Sequence, residues 1–555
     1  MKGSRALLKM LEDRDVGTIF GYPGGVVIPI YNEILDSSIR HVLVRHEQCA
    51  AHMADGYSRA SGKTGVCLAT SGPGTTNLVT GVGTAFADSI PMIVLTGQVA
   101  TGNLGMGAFQ EVDAFSLMMP VTKYNYRVLD LNMLPTAISE GWKVARLGRP
   151  GPVHVDLPVD AMNSQIDESL LTQIREPRPV FIDTSGIPTA VQWIKEAKRP
   201  IILAGGGLIG SDSSEDMVRL AEKIGAGVLT PLMGMGSIPY DHPLSMGTLG
   251  MHGRRAALSS MKEADLIIAL GTKFSDRTYS PHTRPGNGAR VIHVDLDSTE
   301  FNKHGLTSVN IKADVGDVIR SFLTHLEGFV PDPAWAMTLT SFKSRCCCDF
   351  DYDGVPIKPQ KVMHEINKLI DDDTIITTDV GQNQMWAMHC LNIKRPRQMI
   401  SSGGFGTMGF GLPSAIGAKA ACPDKKVLTV TGDGGLLMVV QELATAIQED
   451  LPVTICLMNN GWLGMVKQWQ KLFWNKRYSG TKLYESNPDF VKLAEAFGAK
   501  GIRIERPGEI GDALKRSMNS GETCLIDIRT DPEEDVLPML PPDPSIPMVK
   551  GHCPY

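Results

Sequence analysis

"KVLTVTGDGG" occupies residues 426–435, and "LPVTICLMNN" follows at 451–460. Each opens as an apolar run rich in β-branched residues, the pattern of a strand buried on both faces. The first breaks into Gly432-Asp433-Gly434-Gly435 and the second ends on Asn459-Asn460, while the intervening "LLMVVQELATAIQED" predicts one helix. Strand, helix and strand in this order form the unit of a parallel sheet, whose ligand-bearing loops gather at the carboxyl ends of the strands. The glycines allow a tight turn and a close approach to a ligand, and the helix start would turn free N–H groups toward it. Asp433 and Asn460 then offer a carboxylate and an amide oxygen from adjacent strand ends, hard ligands suited to Mg²⁺ beside phosphate oxygens. Taken alone, "GDGG" reads sooner as an ordinary turn; the paired strand ends give it meaning.

The same alternation runs through the chain. "VGTIFGYPGG", "HVLVRHE", "TGVCLATSGPG", "PMIVLTGQ" and "PGPVHVDLP" mark the first third, and "RPIILAGGG", "AGVLTPLMG", "ADLIIALGT" and "ARVIHVDLD" the middle. "DTIITTDVG" and "ETCLIDIRT" complete the last third. Short apolar strands separated by helical patterns predict an α/β protein of doubly wound parallel sheets. Proline-containing stretches at 175–188 and 328–335 read as linkers. They divide the chain into three expected α/β domains, 1–170, 185–328 and 350–545. A net charge of −6 over 555 residues argues against a nucleic-acid partner. The first residues form an amphipathic pattern rather than a signal peptide, and no window is apolar enough to span a membrane. Ten cysteines without zinc-ligand spacing, three of them adjacent at Cys346-Cys347-Cys348, read as free thiols of a cytoplasmic protein. His46 and His52 are six residues apart and do not share a helix face as metal ligands would.

A "GDG" turn followed 27 residues later by the second asparagine of "NN" resembles the diphosphate signature of thiamine-diphosphate enzymes. The resemblance implies that Asp433 and Asn460 bind Mg²⁺ together with the backbone carbonyl of Trp462, and that Gly432, Gly434 and Gly435 line the diphosphate. "FGYPGG", "RHEQ", "SGPGTTN", "FQE", "LGMHG", "TDVGQNQM", "SGGFGTMGFGLP", "NNGWLGMVKQW" and "VLPMLPP" extend the likeness over nearly the whole chain. Together these motifs are similar to the acetolactate synthase (acetohydroxyacid synthase) large-subunit family. That likeness implies an enzyme that decarboxylates pyruvate and joins the two-carbon unit to pyruvate or 2-ketobutyrate, the first common step of branched-chain amino-acid synthesis. It implies Glu47 as the acid that activates the cofactor. Val380, Gly381, Gln382, Gly406, Met408 and Met465 would border the cofactor, and Gly25, Phe109 and Gln110 the reacting centre. Lys123 would stand at the entrance. By residue type alone, Met408, Met465 and Phe109 read as core side chains, and Glu47 and Lys123 as solvated charges.

"AGGGLIG" contains a literal GxGxxG at Gly205, Gly207 and Gly210, which invites a Rossmann nicotinamide site and a dehydrogenase reading. The following strand ends without the acidic residue that such a site requires. The family likeness instead implies FAD on Gly205, Gly206, Gly207, Met251, His252 and Asp314. It also implies that Arg277 pairs with the carboxylate of the second substrate, a task suited to a guanidinium, and that Trp469 favours 2-ketobutyrate. Val26 after "YPGG" and the "GWLG" that follows the asparagines depart from the family pattern. A sister thiamine–flavin decarboxylase or oxidase, and a cofactor-binding scaffold without activity, are the alternatives. The likeness further implies a homodimer or tetramer, because Glu47 and the diphosphate site lie in different domains, and leaves room for a small regulatory subunit.

Overall fold

The computed structural model describes residues 1–172, 181–286, 288–305, 308–345, 351–541, 543 and 545–549. Cys346–Cys348 and the first part of the 175–188 stretch lie outside the described residues. The first sheet contains β1 (Thr18–Gly21), β2 (Arg40–Leu43), β3 (Gly65–Ala69), β4 (Met92–Gln98), β5 (Tyr124–Arg127) and β6 (Pro152–Pro158). The second contains β7 (Pro200–Ala204), β8 (Gly227–Thr230), β9 (Ser245–Thr248), β10 (Leu266–Leu270), β11 (Arg290–Asp295) and β12 (Ser308–Lys312). The third contains β13 (Thr374–Thr378), β14 (Met399–Ser401), β15 (Lys426–Gly432), β16 (Thr454–Asn459), β17 (Lys500–Ile504) and β18 (Cys524–Arg529).

All three sheets are parallel throughout. Their orders are β2-β1-β3-β4-β6-β5, β12-β11-β10-β7-β8-β9 and β14-β13-β15-β16-β18-β17. Counted within each domain, the first and third sheets therefore have the same order. The second has the doubly wound order with its switch point between β7 and β10.

The first and third domains pack directly on each other. Helix Glu47–Ser61 lies along helix Gly411–Ala421, and small residues allow the backbones to approach. A Cβ on Gly417 would sit 1.9 Å from the Met53 carbonyl oxygen, and one on Gly56 would sit 2.2 Å from that of Ser414. One apolar cluster runs through this contact from Phe20 and Met53 to Ile416 and Leu457. Arg59 locks its edge, pairing with buried Asp55 and with Asp88 while donating to the Ser401 carbonyl at 2.8 Å. Asp88 in turn accepts the Gly403 and Gly404 N–H groups.

The single helix expected after Gly435 is instead two short helices, Asp433–Leu437 and Glu442–Gln448, separated by turns. Val439, stiff at its β-branch, wedges against Gly409 in this break. The break carries Glu442 inward, where its carboxylate accepts the Arg45 N–H at 3.0 Å. Among the described residues, no helix is long and apolar enough to cross a membrane.

Candidate active site

The carboxyl ends of β13, β15 and β16 surround a cleft of about 70 Å³ that is partly open to solvent. Its walls bring together Val380, Gly381, Gln382, Met408, Gly432, Asp433, Gly434, Gly435, Asn460, Trp462 and Met465. Gly406 lies in the same loop as Met408, at φ +67° with open space around it, but is not part of the wall. Asp433 is 1% exposed, and burial pushes its carboxyl up to about 6. No lysine, arginine or histidine pairs with it among the described residues. A buried carboxylate without a cation is costly, so the residues present fit a bound metal ion.

Three residues that sequence reasoning did not single out hold this cleft in shape. Asn487 donates from Nδ2 to Asp433 Oδ2 at 2.7 Å, and its own Oδ1 is buried without a partner. Asp379, fully buried at the end of β13, accepts the N–H groups of Val380, Gly409 and Gly411, tying the two loops that carry Val380 and Met408. Burial pushes the Asp379 carboxyl up to about 6. A Cβ on Gly435 would lie 2.3 Å from its Oδ1, so glycine is required there for close approach. Gln468 accepts from Gln382 Nε2 at 2.9 Å, and Gln382 in turn accepts from Asn460 Nδ2 at 3.2 Å. The strand-end "TDVG" carried a readable signal for Asp379. Asn487 and Gln468 had none, since only the folded chain brings them to the site.

The carboxyl edge of the first sheet gathers a second group. Glu47 begins its helix half-buried and accepts from Asn77 Nδ2 at 2.9 Å. Gly74 lies against Glu47, Gly24 against Thr70, and Gly72 against the backbone of Gln110. Gly25 is exposed at the turn after β1, and Phe109 is 88% exposed. Gln110 is held at φ +59°, a conformation rarely adopted by a non-glycine residue. Lys123 stands apart from this group, immediately before β5 and therefore at the amino edge. Its ammonium donates to the carbonyls of Val144 and Leu147 at the end of helix Leu134–Arg146, and burial lowers it to about 8. No first-domain residue lines the cleft of the third.

In the second sheet, the loops after β7 and β10 meet at the switch point. A Cβ on Gly205 would lie 2.2 Å from the Gly271 carbonyl oxygen, and one on Gly207 would lie 2.8 Å from the Gly271 Cα. Asp314 caps helix Val315–His325 through the Gly316 N–H. No acidic residue closes β8, whose end reads Thr230-Pro231. Met251 and His252 are tied to the chain's last segment: Leu540 N–H donates to the Met251 carbonyl, and His252 Nδ1 donates to that of Pro538 at 2.8 Å. Burial lowers His252 to about 4, so the neutral ring carries its proton on Nδ1, leaving Nε2 buried and unpartnered. Val536 of the same segment exchanges two hydrogen bonds with Gln468. Exposed Arg277 reaches the Met251 sulfur at 3.3 Å, and half-buried Trp469 follows Gln468 in the chain.

Three descriptions of the thiamine pyrophosphate enzymes match this chain: the N-terminal TPP binding domain over residues 1–117, the central domain over 187–322 and the C-terminal TPP binding domain over 379–528. The fold and the cleft thus define a thiamine pyrophosphate enzyme. Full-length similarity narrows the class. The chain is 46% identical to the probable acetolactate synthase large subunit of Methanocaldococcus jannaschii, over 98% of this chain and 94% of that one. It is 41% identical to the acetolactate synthase large subunit of Corynebacterium glutamicum, over 97% and 88% respectively, and 40% identical to the Escherichia coli isozyme 3 large subunit, over 97% and 96%. The chain belongs to the acetolactate synthase large-subunit family.

Proposed function

We propose that this chain is the catalytic subunit of a thiamine-diphosphate-dependent acetolactate synthase, which decarboxylates pyruvate and joins the remaining two carbons to pyruvate or 2-ketobutyrate. The observation that carries this reading is the convergence of Asp433, Asn460 and Trp462 with Val380, Gly381, Gln382 and Met408 on one cleft. Asp433, Asn460 and the Trp462 carbonyl would hold Mg²⁺, a set of hard oxygens around a buried charge that lacks a counter-ion. Thiamine diphosphate, when bound, supplies the electron sink that lets CO₂ leave.

The chain's own residues supply orientation and charge placement. Glu47 would engage the cofactor by hydrogen bond through a carboxyl fixed by Asn77. Met408 and Met465 give the cleft apolar wall surface. Arg277 would pair with the carboxylate of the second keto acid, and Trp469 would favour the larger acceptor. FAD would lie at the switch point of the second sheet. The close approach of Gly205 and Gly207 to Gly271, and the missing acid after β8, support a flavin over a nicotinamide there.

A second copy of the chain would bring the Glu47 group to the cleft. The exposed side chains of Ile28, Met106 and Phe109 on one domain, and of Met438 and Val466 on the other, support such a dimer. The relatives are named large subunits, which implies a small-subunit partner.

The test is product analysis from pyruvate, with and without 2-ketobutyrate, in the presence of Mg²⁺, thiamine diphosphate and FAD. 2-Acetolactate and 2-aceto-2-hydroxybutyrate are the expected products, and their formation should collapse in Glu47→Gln. Acetaldehyde or acetyl phosphate as the main product would replace this reading with that of a sister decarboxylase or oxidase.

A further inference from the structure

A cavity of about 170 Å³ opens at the amino edge of the first sheet, the edge opposite Glu47. Arg14, Lys63 and Arg146 line it together with Tyr57, Thr18 and Trp142, and Asp15 is the only carboxylate in its wall. None of the three cations forms an ion pair among the described residues. Arg14 is half-buried, bonded through Nη1 to the Met10 carbonyl at 2.6 Å and through Nη2 to Ser139 Oγ at 2.8 Å. Arg146 reaches only the Thr64 hydroxyl, at 3.4 Å. Tyr57 is 8% exposed, and its hydroxyl has no hydrogen-bond partner among the described residues. Burial lowers the Arg14 pKa, with Asp13 acting the other way.

Three cations and one carboxylate leave two positive charges in a small, hydroxyl-lined space. Planar guanidinium groups bind tetrahedral oxyanions through paired N–H donors. We propose that this cavity is a binding site for a small phosphate dianion, either free inorganic phosphate or the phosphate of a short monoester, separate from the thiamine cleft. Trp142 forms the apolar wall against which the carbon chain of a monoester would lie. Tyr57 sits near the end of the helix that begins at Glu47, so an occupant would touch the last turns of that helix.

The test uses the holoenzyme with thiamine diphosphate and Mg²⁺ saturating, which keeps phosphate out of the cleft. Inorganic phosphate and ethyl phosphate are titrated calorimetrically, with potassium chloride at matched ionic strength as the control. Saturable binding is expected, weakened about tenfold or more in Arg146→Gln and in Lys63→Gln. Both side chains are exposed, so folding should survive, and pyruvate turnover without phosphate should be unchanged. Tighter binding of ethyl phosphate would identify a monoester as the ligand, and equal or weaker binding would identify free phosphate. No saturable heat, the same heat from chloride, or equal affinity in the variants would overturn the proposal.

Discussion

Removing the Asn487 side chain should separate metal affinity from catalytic capacity. Asp433 is buried, and its only side-chain donor among the described residues is Asn487 Nδ2 at 2.7 Å. A hydrogen bond to a charged group contributes about 1.5–3 kcal/mol, so Asn487→Ala should weaken Mg²⁺ binding roughly ten- to hundredfold. Burial already raises the Asp433 carboxyl to about 6, and losing a donor to its charged form raises it further. Protons then compete more strongly with the metal, so the defect should deepen below neutral pH. The assay titrates Mg²⁺ into apoenzyme at saturating thiamine diphosphate, reading Trp462 and Trp386 in the cleft wall by fluorescence. Turnover at saturating Mg²⁺ should stay near wild type, because Asn487 acts through Asp433. Metal affinity within twofold of wild type would show that the contact does not position the ligand. Turnover lost even at saturating metal would assign Asn487 a different role.

Two further outcomes follow from the packing and the buried charges. Gly417→Ala should lower the denaturant midpoint, because its Cβ would lie 1.9 Å from the Met53 carbonyl oxygen and force the helices apart. Overpacking typically costs about 1–3 kcal/mol, and an unchanged midpoint would refute so close a crossing. The protein should also lose stability in mild acid. Burial lowers His52 and His154 to about 3, and His252 and His293 to about 4. Below pH 6.5 the unfolded chain therefore binds more protons at these sites, costing about 2 kcal/mol for each histidine at pH 5. Asp295, Asp379 and Asp433, raised to about 6, bind protons in the folded state and oppose this by about 1.4 kcal/mol each at pH 5. The histidines win, and urea midpoints should fall steadily from pH 7 to pH 5; a flat or rising profile would refute the assignment.

How much of the fold could be read from sequence depended on where each strand sits in its sheet. Apolar runs marked thirteen of the eighteen strands, including every central one. The five that were not singled out, β5, β9, β12, β14 and β17, are all sheet edges. An edge strand of a parallel sheet meets solvent along one side and does not require a continuous apolar run. "YNYR" and "KGIRI" show this, with mostly half-exposed or exposed positions. Of the other unmarked edges, "SVNIK" is likewise half-exposed at four of its five positions, and "MIS" and "SMGT" are short or interrupted by glycine. The site divides in the same way. Residues inside a local turn, such as Asp433 and Asn460, were legible because strand end and glycine spacing mark them. Asn487 and Gln468 sit beyond those turns and reach the cleft only through tertiary contacts. The break after Leu437 was likewise invisible, because helical periodicity continues through Val439 while the contact with Gly409 does not show in the sequence.

The shared strand order of the first and third sheets gives the two candidate half-sites a common physical origin. In both domains the functional groups stand at the carboxyl edge, on the loops after equivalent strands: Gly25 and Val380 after the first, Gly72 and Asp433 after the third. The chemistry of those loops differs. In the third domain they converge on a buried carboxylate with no cation beside it. In the first they carry a half-buried Glu47 that accepts from Asn77, while Phe109 stands exposed on another loop. On the proposed function, one set would hold a charged, metal-bound group and the other would present an acid. The helix contact through Gly56 and Gly417 packs the two domains together, yet no residue of the first lines the cleft of the third in the same chain. That separation supports the proposal that a ligand requiring both sets lies between two copies of the chain. On that reading, diluting the protein below its dimerisation constant should abolish activity and cofactor binding together, while each domain keeps its fold.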